Sequence, residues 1–276
     1  LAAIPHRGRP HPRHRGRRSP PDRLEGVSNG AASPIRRMPD GTVKQIGPLT
    51  GTRVWTVPGR ANRPIAAPRD TPRVLARGEA ERLCAFCSTR YLETTPEKAR
   101  IVGPEGTELR RVPAAALFDT VAEFRRFGNL FEIVSAEYWR ENHGFRQPSS
   151  VVEWAQDYLS SPEGLAHISS LAAIRAAATG AEVSVEEAAL DLLGGSHDVI
   201  VARRHVVDGA RTDDDLASAG TLTPDEHAAY TAFTVQALAE IQAAQPNAAY
   251  VAVFQNWLRP AGASFEHLHK QLVAID

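Results

Sequence analysis

The chain has 276 residues, enough for one large domain or two small ones, and its formal net charge is zero. Positive charge is concentrated in residues 1–37, so the rest of the chain is acidic overall, which argues against a basic nucleic-acid-binding protein. No stretch approaches the roughly 18 apolar residues that span a bilayer, and no apolar leader indicates secretion. We therefore expect a cytoplasmic protein without a membrane partner.

The N-terminal residues 1–41 are predicted to form a disordered basic tail. They show no apolar periodicity and could not offset the entropy lost on ordering. Two interpretations stay open for residues 1–37: a tail that contacts an acidic partner, or residues outside the natural protein. A single domain is predicted over residues 42–276.

The predicted elements mix strands with long helices, which indicates an α+β or α/β domain. A turn at residues 48–51 precedes the first strand, Thr95-Pro96-Glu97 predicts a short helix start, and residues 150–193 are helical, capped by Ser149 or Ser150. Thr223-Pro224-Asp225-Glu226 predicts a capped helix that runs to Gln245. Strands are predicted at residues 53–57, 129–134, 197–202, 250–254 and 271–275. Because the chain ends inside that last apolar run, we expect the natural protein to continue beyond Asp276.

The segment His267-Leu268-His269-Lys270-Gln271 is the first candidate for chemistry. On a strand, His267, His269 and Gln271 would share one face, with Leu268 and Lys270 on the other. An imidazole titrates near neutral pH, so its free base can attack a phosphoryl group while a neighbouring donor holds the phosphate oxygens. The alternative is a pair of surface histidines on a strand.

The only two cysteines, Cys84 and Cys87, form a C-x-x-C pair. Thiolates at this spacing are typical zinc ligands, and a structural site needs four ligands in all. His205 and His267 are candidates for the other two positions. A redox pair and two buried small residues are the alternatives. Arg60 and Arg63 are a third candidate set, because arginine binds phosphate in bidentate fashion; solvated charges on a loop are the alternative.

Taken together, five segments resemble the galactose-1-phosphate uridylyltransferase family of the histidine-triad superfamily. The resemblance covers residues 44–276 in order. The segments are residues 48–64 with Arg60 and Arg63, the Cys84–Cys87 pair, Phe127-Gly128-Asn129-Leu130-Phe131, Gly195 to Val201 ending at His205, and the run Phe254, Asn256, Gly262, Ser264, His267, His269 and Gln271.

The resemblance implies an α+β fold with a histidine-triad-like antiparallel sheet and packed helices, without the C-terminal half of the family's fold and with a helical insertion at about residues 132–194. It implies that His269 is the nucleophile and that Gln271 holds the phosphate. Arg60, Arg63, Asn129, Asn256 and Ser264 would contact substrate, and Cys84, Cys87, His205 and His267 would bind zinc. The partners implied are a UDP-sugar, a sugar 1-phosphate and a second copy in a homodimer.

The implied activity is transfer of UMP between a UDP-sugar and a sugar 1-phosphate by a ping-pong mechanism through a nucleotidyl-histidine. Leu268 and Lys270 depart from the family's proline and glycine, but both would face away from the site. Three alternatives stay open: a nucleotide-sugar or dinucleotide phosphorylase of the same superfamily, a non-catalytic zinc-stabilised nucleotide-binding module, and an RNA-binding protein led by the basic tail.

Overall fold

The computed structural model describes residues 33–58, 71–256, 258 and 261–276, and residues 34–276 form one compact unit. Its first element is a three-stranded antiparallel sheet in the order β1-β2-β3. The strands are β1 (Ile35–Arg37), β2 (Val43–Ile46) and β3 (Arg53–Thr56). Within this segment Met38 is 4% exposed and belongs to the main core, and Trp55 packs against the same core.

This small sheet corrects the predicted tail, because residues 35–41 lie inside the ordered unit rather than before it. The basic composition around Arg36 and Arg37 concealed a strand whose partner, β2, is supplied a few residues later. The strand predicted at residues 53–57 and the turn before it are confirmed.

A six-stranded antiparallel sheet forms the centre of the unit, in the order β5-β4-β6-β7-β9-β8. Its strands are β4 (Glu97–Val102), β5 (Thr107–Arg110), β6 (Ala122–Gly128), β7 (His197–Ala202), β8 (Tyr250–Phe254) and β9 (His269–Ile275). Every pairing is antiparallel. Strands mixed with helices and paired in this way confirm the α+β class.

Four helices lie between β6 and β7 along the chain. They are α1 (Ala136–His143), α2 (Ser149–Leu159), α3 (Pro162–Thr179) and α4 (Val185–Gly194). The last three confirm the helical prediction for residues 150–193 and build a small core of their own around Trp154, Ile168 and Leu171. No helix in the described part of the chain combines the length and apolarity needed to cross a membrane.

The fifth helix, α5 (Pro224–Ala244), begins as predicted. The Thr223 side chain accepts from the Glu226 backbone N–H and the Glu226 side chain accepts from the Thr223 backbone N–H, so two otherwise orphaned donors are satisfied. The helix packs on one face of the central sheet, where Tyr230, Ile200 and Leu272 belong to the main core. The opposite face of β6, β7 and β9 is left to form the candidate site.

Three local predictions were wrong. Residues 129–134 are not a strand: the β6 strand ends at Gly128, and the Asn129 side chain accepts from the Phe131 backbone N–H, which turns the chain. Glu97 starts a strand rather than a helix, because it pairs with Phe127 of β6. Neither Ser149 nor Ser150 caps α2, whose N-cap position is Pro148 with no side-chain hydrogen bond.

Candidate active site and metal centre

The four predicted metal ligands meet at one end of the central sheet. His205 follows the end of β7 and His267 precedes the start of β9; since these strands are antiparallel neighbours, both histidines lie at the same sheet end. Their ring centroids are 4.8 Å apart. The loop that carries Cys84 and Cys87 packs against them, and the four ligand atoms lie within 4.8 Å of one another.

The distances between these atoms fit a tetrahedral zinc site. Zn–S bonds of about 2.3 Å and Zn–N bonds of about 2.0–2.1 Å place two sulfurs about 3.8 Å apart, and a sulfur and a nitrogen about 3.6 Å apart. The two Sγ atoms are separated by 3.9 Å, Cys84 Sγ and His267 Nδ1 by 3.6 Å, and Cys87 Sγ and His205 Nδ1 by 3.4 Å. The residues present could therefore hold a metal ion, and their donor set is typical of zinc.

The surroundings of the ligands also suit a metal. The His267 Nε2–H donates to the Ala202 carbonyl at 2.6 Å, which turns Nδ1 toward the cysteines, as second contacts of metal-bound histidines do. The Phe86 backbone N–H donates to Cys84 Sγ at 3.4 Å and would stabilise a thiolate bound to a metal, whereas burial raises the pKa of the Cys84 thiol. Burial lowers the pKa of His267, so its neutral form, the form that binds metal, is favoured.

A cavity of about 180 Å³ lies beside this centre. Its floor is one row of directly paired residues across four strands: Phe127 of β6 opposite Val199 of β7, Val199 opposite Gln271 of β9, and Gln271 opposite Phe254 of β8. All four residues line the cavity. The sheet register therefore places the Gln271 amide between the apolar side chains of Val199 and Phe254.

His269 lines the same cavity and is 5% exposed. Its Nδ1–H donates to the His267 carbonyl at 2.7 Å, so Nε2 carries the lone pair. Burial lowers the pKa of His269 although this hydrogen bond opposes the shift, so the ring is a neutral base at physiological pH. The arrangement supplies a neutral imidazole with a fixed tautomer at the cavity.

Phe86, inside the C-x-x-C loop, connects the metal centre to the cavity. Its ring meets the His269 ring edge-on at a centroid distance of 5.4 Å and the His267 ring at 6.2 Å. It also packs against Phe265 and Phe127. A metal that fixes the Cys84–Cys87 loop would thereby hold a wall of the cavity against His269.

Two amides at the cavity, those of Asn129 and Gln271, have their oxygens engaged. Asn129 Oδ1 accepts from the Phe131 N–H at 2.9 Å, and Gln271 Oε1 lies 3.0 Å from His197 Nε2. The NH₂ group of Gln271 is consequently turned away from His197, whereas Asn129 Nδ2 lies 3.2 Å from His197 Nε2. Among the described residues that line the cavity there is no lysine or arginine, and Glu93, which does line it, is paired with Arg90.

Comparison with known proteins places this site within a family. The model of the family described as "Domain of unknown function (DUF4921)" matches residues 38–276. The chain belongs to the DUF4921 family. The matched segment contains every candidate site residue named above.

The comparison with curated proteins gives no match. Among solved structures, this DUF4921 chain is similar to the crystal structure of an ADP-glucose phosphorylase from Arabidopsis thaliana with bound ADP-glucose, at 17% sequence identity and a TM-score of 0.37. The match covers 84% of this chain and 48% of that one, so the DUF4921 chain spans about half the length of the phosphorylase. A likeness of this degree says nothing about the chemistry of the chain.

The structure brings most of the predicted site residues together. Asn129, Asn256, Ser264, His269 and Gln271 line the cavity. Leu268 lies in the main core and Lys270 stacks over Tyr230, so both face away from the cavity, as the strand alternation predicts. Arg60 and Arg63 lie outside the described residues.

Phe86 and His197 also contact residues of the site, and the sequence motifs predict no role for either. The signal for His197 was its place in β7, two residues before Val199 and therefore on the same face of the strand.

Proposed function

We propose that the protein is a nucleotidyltransferase that acts on nucleotide sugars and transfers UMP from a UDP-sugar to a sugar 1-phosphate. One observation carries the proposal: a buried, neutral imidazole, His269, has its tautomer fixed by the His267 carbonyl and lines a cavity beside amide donors. This is the arrangement that a nucleophilic histidine in phosphoryl chemistry needs.

In the first step His269 Nε2 attacks the α-phosphorus of the UDP-sugar. A P–N bond forms while the bond from the α-phosphorus to the bridging oxygen breaks, and sugar 1-phosphate leaves with that electron pair. In the second step a phosphate oxygen of another sugar 1-phosphate attacks the same phosphorus, and the P–N bond breaks. His269 Nδ1–H stays bonded to the His267 carbonyl and stabilises the positive charge that the ring gains as it is uridylylated.

The amides and the hydroxyl of the cavity bind the phosphates of the substrate. The NH₂ group of Gln271 donates to an oxygen of the α-phosphate, where negative charge shifts in the transition state. Asn129, Asn256 and Ser264 contact the phosphates or the leaving group. Because no described cation lines the cavity, Arg60 and Arg63 are proposed to supply the positive charge that a diphosphate requires.

Zinc, held by Cys84, Cys87, His205 and His267, has a structural part in this proposal. A closed site with four protein ligands stabilises the fold rather than activating water. Its contribution to the reaction is to fix the loop that carries Phe86, which contacts the His269 ring.

The test is the intact-protein mass after incubation with UDP-glucose, for the wild type and for His269→Ala. A mass gain of one uridylyl group in the wild type, absent from the variant, supports the proposal. Folded, zinc-loaded protein that gains no mass with UDP-, ADP- or GDP-sugars would refute covalent transfer and leave a nucleotide-binding module. His227→Ala, in which an exposed histidine of α5 is removed, is the matched control and should keep the adduct.

The compound that accepts the uridylyl group is identified in a second experiment on the isolated adduct. Discharge by glucose 1-phosphate or galactose 1-phosphate, measured as loss of the added mass and appearance of UDP-sugar, supports transfer. Discharge by inorganic phosphate alone, with UDP as product, would make the protein a phosphorylase with the same nucleophile.

A further inference from the structure

His197 is completely buried and lies behind Gln271, outside the cavity lining. It stands on β7 two residues before Val199, and Val199 is the direct partner of Gln271 on β9. His197 and Gln271 are therefore diagonal neighbours on the same face of the sheet, close enough for their side chains to bond.

The backbone decides the tautomer of this histidine. The Ile133 N–H donates to His197 Nδ1 at 2.9 Å, and a backbone N–H can only donate, so Nδ1 holds a lone pair. The proton of the neutral ring must then be on Nε2. The Nε2–H faces Gln271 Oε1 at 3.0 Å, and Asn129 Nδ2, also a donor, approaches the same nitrogen at 3.2 Å without accepting from it.

This chain of donors fixes the amide of Gln271. The oxygen and the NH₂ group of a glutamine are almost the same in size, so packing alone does not choose between the two orientations of the amide. The His197 Nε2–H can donate to only one of them, the orientation with Oε1 toward His197 and NH₂ away from it. In the flipped amide, NH₂ would face another donor and the oxygen would face a phosphate oxygen.

We propose that His197 is a positioning residue that holds Gln271 with its NH₂ group toward the transferring phosphate. This inference rests on the proposed function for its catalytic consequence. The Ile133 N–H fixes the tautomer of His197, and His197 fixes the amide of Gln271. The loop that follows β6 therefore determines that the Gln271 NH₂ group points toward the phosphate. Losing one aligned donor to a developing oxyanion costs about 100- to 1000-fold in rate.

Two substitutions test the hydrogen bonds of the two ring nitrogens of His197 separately. In His197→Gln the side-chain NH₂ reaches the position of Nε2, so a donor to Gln271 is kept. In His197→Asn the side-chain oxygen reaches the position of Nδ1, so the Ile133 N–H keeps its acceptor while Gln271 loses its donor. We expect His197→Asn to slow the first-order formation of the uridylyl adduct by about 100-fold with little change in the UDP-glucose concentration at half-saturation. His197→Gln should stay within about tenfold of the wild type.

Gln271→Glu covers the case in which His197→Asn does not fold. It keeps an oxygen for His197 Nε2–H but replaces the NH₂ group by a second oxygen, so adduct formation should fall by at least about 100-fold in a protein of normal zinc content. A wild-type rate in Gln271→Glu, or in folded His197→Asn, would overturn the proposal.

The side-chain amide of Gln271 gives a readout that does not depend on catalysis. Its ¹⁵N–¹H₂ resonances, assigned by their absence in Gln271→Glu, should move in His197→Asn and move less in His197→Gln. Unchanged resonances in His197→Asn would refute the contact even if transfer occurs. If the wild type forms no adduct but the resonances move as expected, the positioning contact stands and the transferase proposal fails.

Discussion

Glu132 is a carboxyl group with little support from its surroundings. Its Oε2 accepts from the Ala136 N–H at 3.1 Å, whereas its Oε1 is buried without a hydrogen-bond partner among the described residues. Gly195 makes room for it, because a Cβ there would lie 2.1 Å from Oε1. Burial raises the pKa of Glu132 to about 7, so the folded protein keeps this group protonated at pH values where the unfolded chain ionises it.

Glu132→Gln should therefore change how stability depends on pH. The folded-state pKa lies above the unfolded value, so the wild type loses stability as the pH rises from about 4.5 to about 7 and changes no further above that, by up to about 3 kcal/mol in all. The variant cannot ionise and should lack this loss. Urea denaturation between pH 5 and pH 8 measures it, with the exposed Glu141→Gln as control. Parallel curves for Glu132→Gln and the wild type would contradict the prediction.

At the scale of elements, the metal centre joins three segments that are far apart in the chain: the Cys84–Cys87 loop, the end of β7 and the start of β9. The described part of this loop contains no strand of the central sheet, so its position depends on the contacts of the two cysteines and Phe86. A bound ion is expected to contribute directly to the stability of this end of the sheet.

Removing the ion should therefore lower both stability and activity. We expect Cys87→Ser to lose stoichiometric zinc in elemental analysis, and the wild type to gain about 3 kcal/mol when free zinc exceeds its Kd by 100-fold. Adduct formation on His269 should slow as Phe86 loses its fixed position. Ser88→Ala, which alters the neighbouring side chain but no ligand, is the control. Full zinc content in Cys87→Ser would show that the ligand set is wrong.

The same elements show what sequence could predict. The start of α5 was predictable because a capping box is complete within four residues, Thr223 to Glu226. The cysteines could be proposed from spacing, but the four-ligand set depends on the antiparallel pairing of β7 with β9, which is not a local property. The false strand at residues 129–134 has the same cause: Leu130, Phe131 and Ile133 are apolar because they line the cavity, not because they pair with another strand.

At the scale of the molecule, the described residues form two larger hydrophobic cores, one between the central sheet and α5 and one among α2, α3 and α4. Buried polar contacts connect the helical core to the loop that contains Thr94. His167 of α3 donates from Nε2 to the Thr94 carbonyl at 2.8 Å, and its Nδ1 accepts from the Tyr158 hydroxyl at 2.7 Å. Because Thr94 lines the cavity, the helical core contacts part of the cavity wall.

Leu171→Ala tests whether the two cores unfold together. Leu171 is completely buried in the helical core, so its truncation should cost about 2–5 kcal/mol. We expect hydrogen exchange to accelerate in α2, α3 and α4 while the amides of β7 and β9 keep most of their protection, since separate clusters open as separate units. Leu272→Ala, in the main core, should accelerate exchange throughout the sheet. Equal acceleration in the helices and the sheet of Leu171→Ala would instead show one cooperative unit, in which the Thr94 contact transmits the loss of helical packing to the cavity.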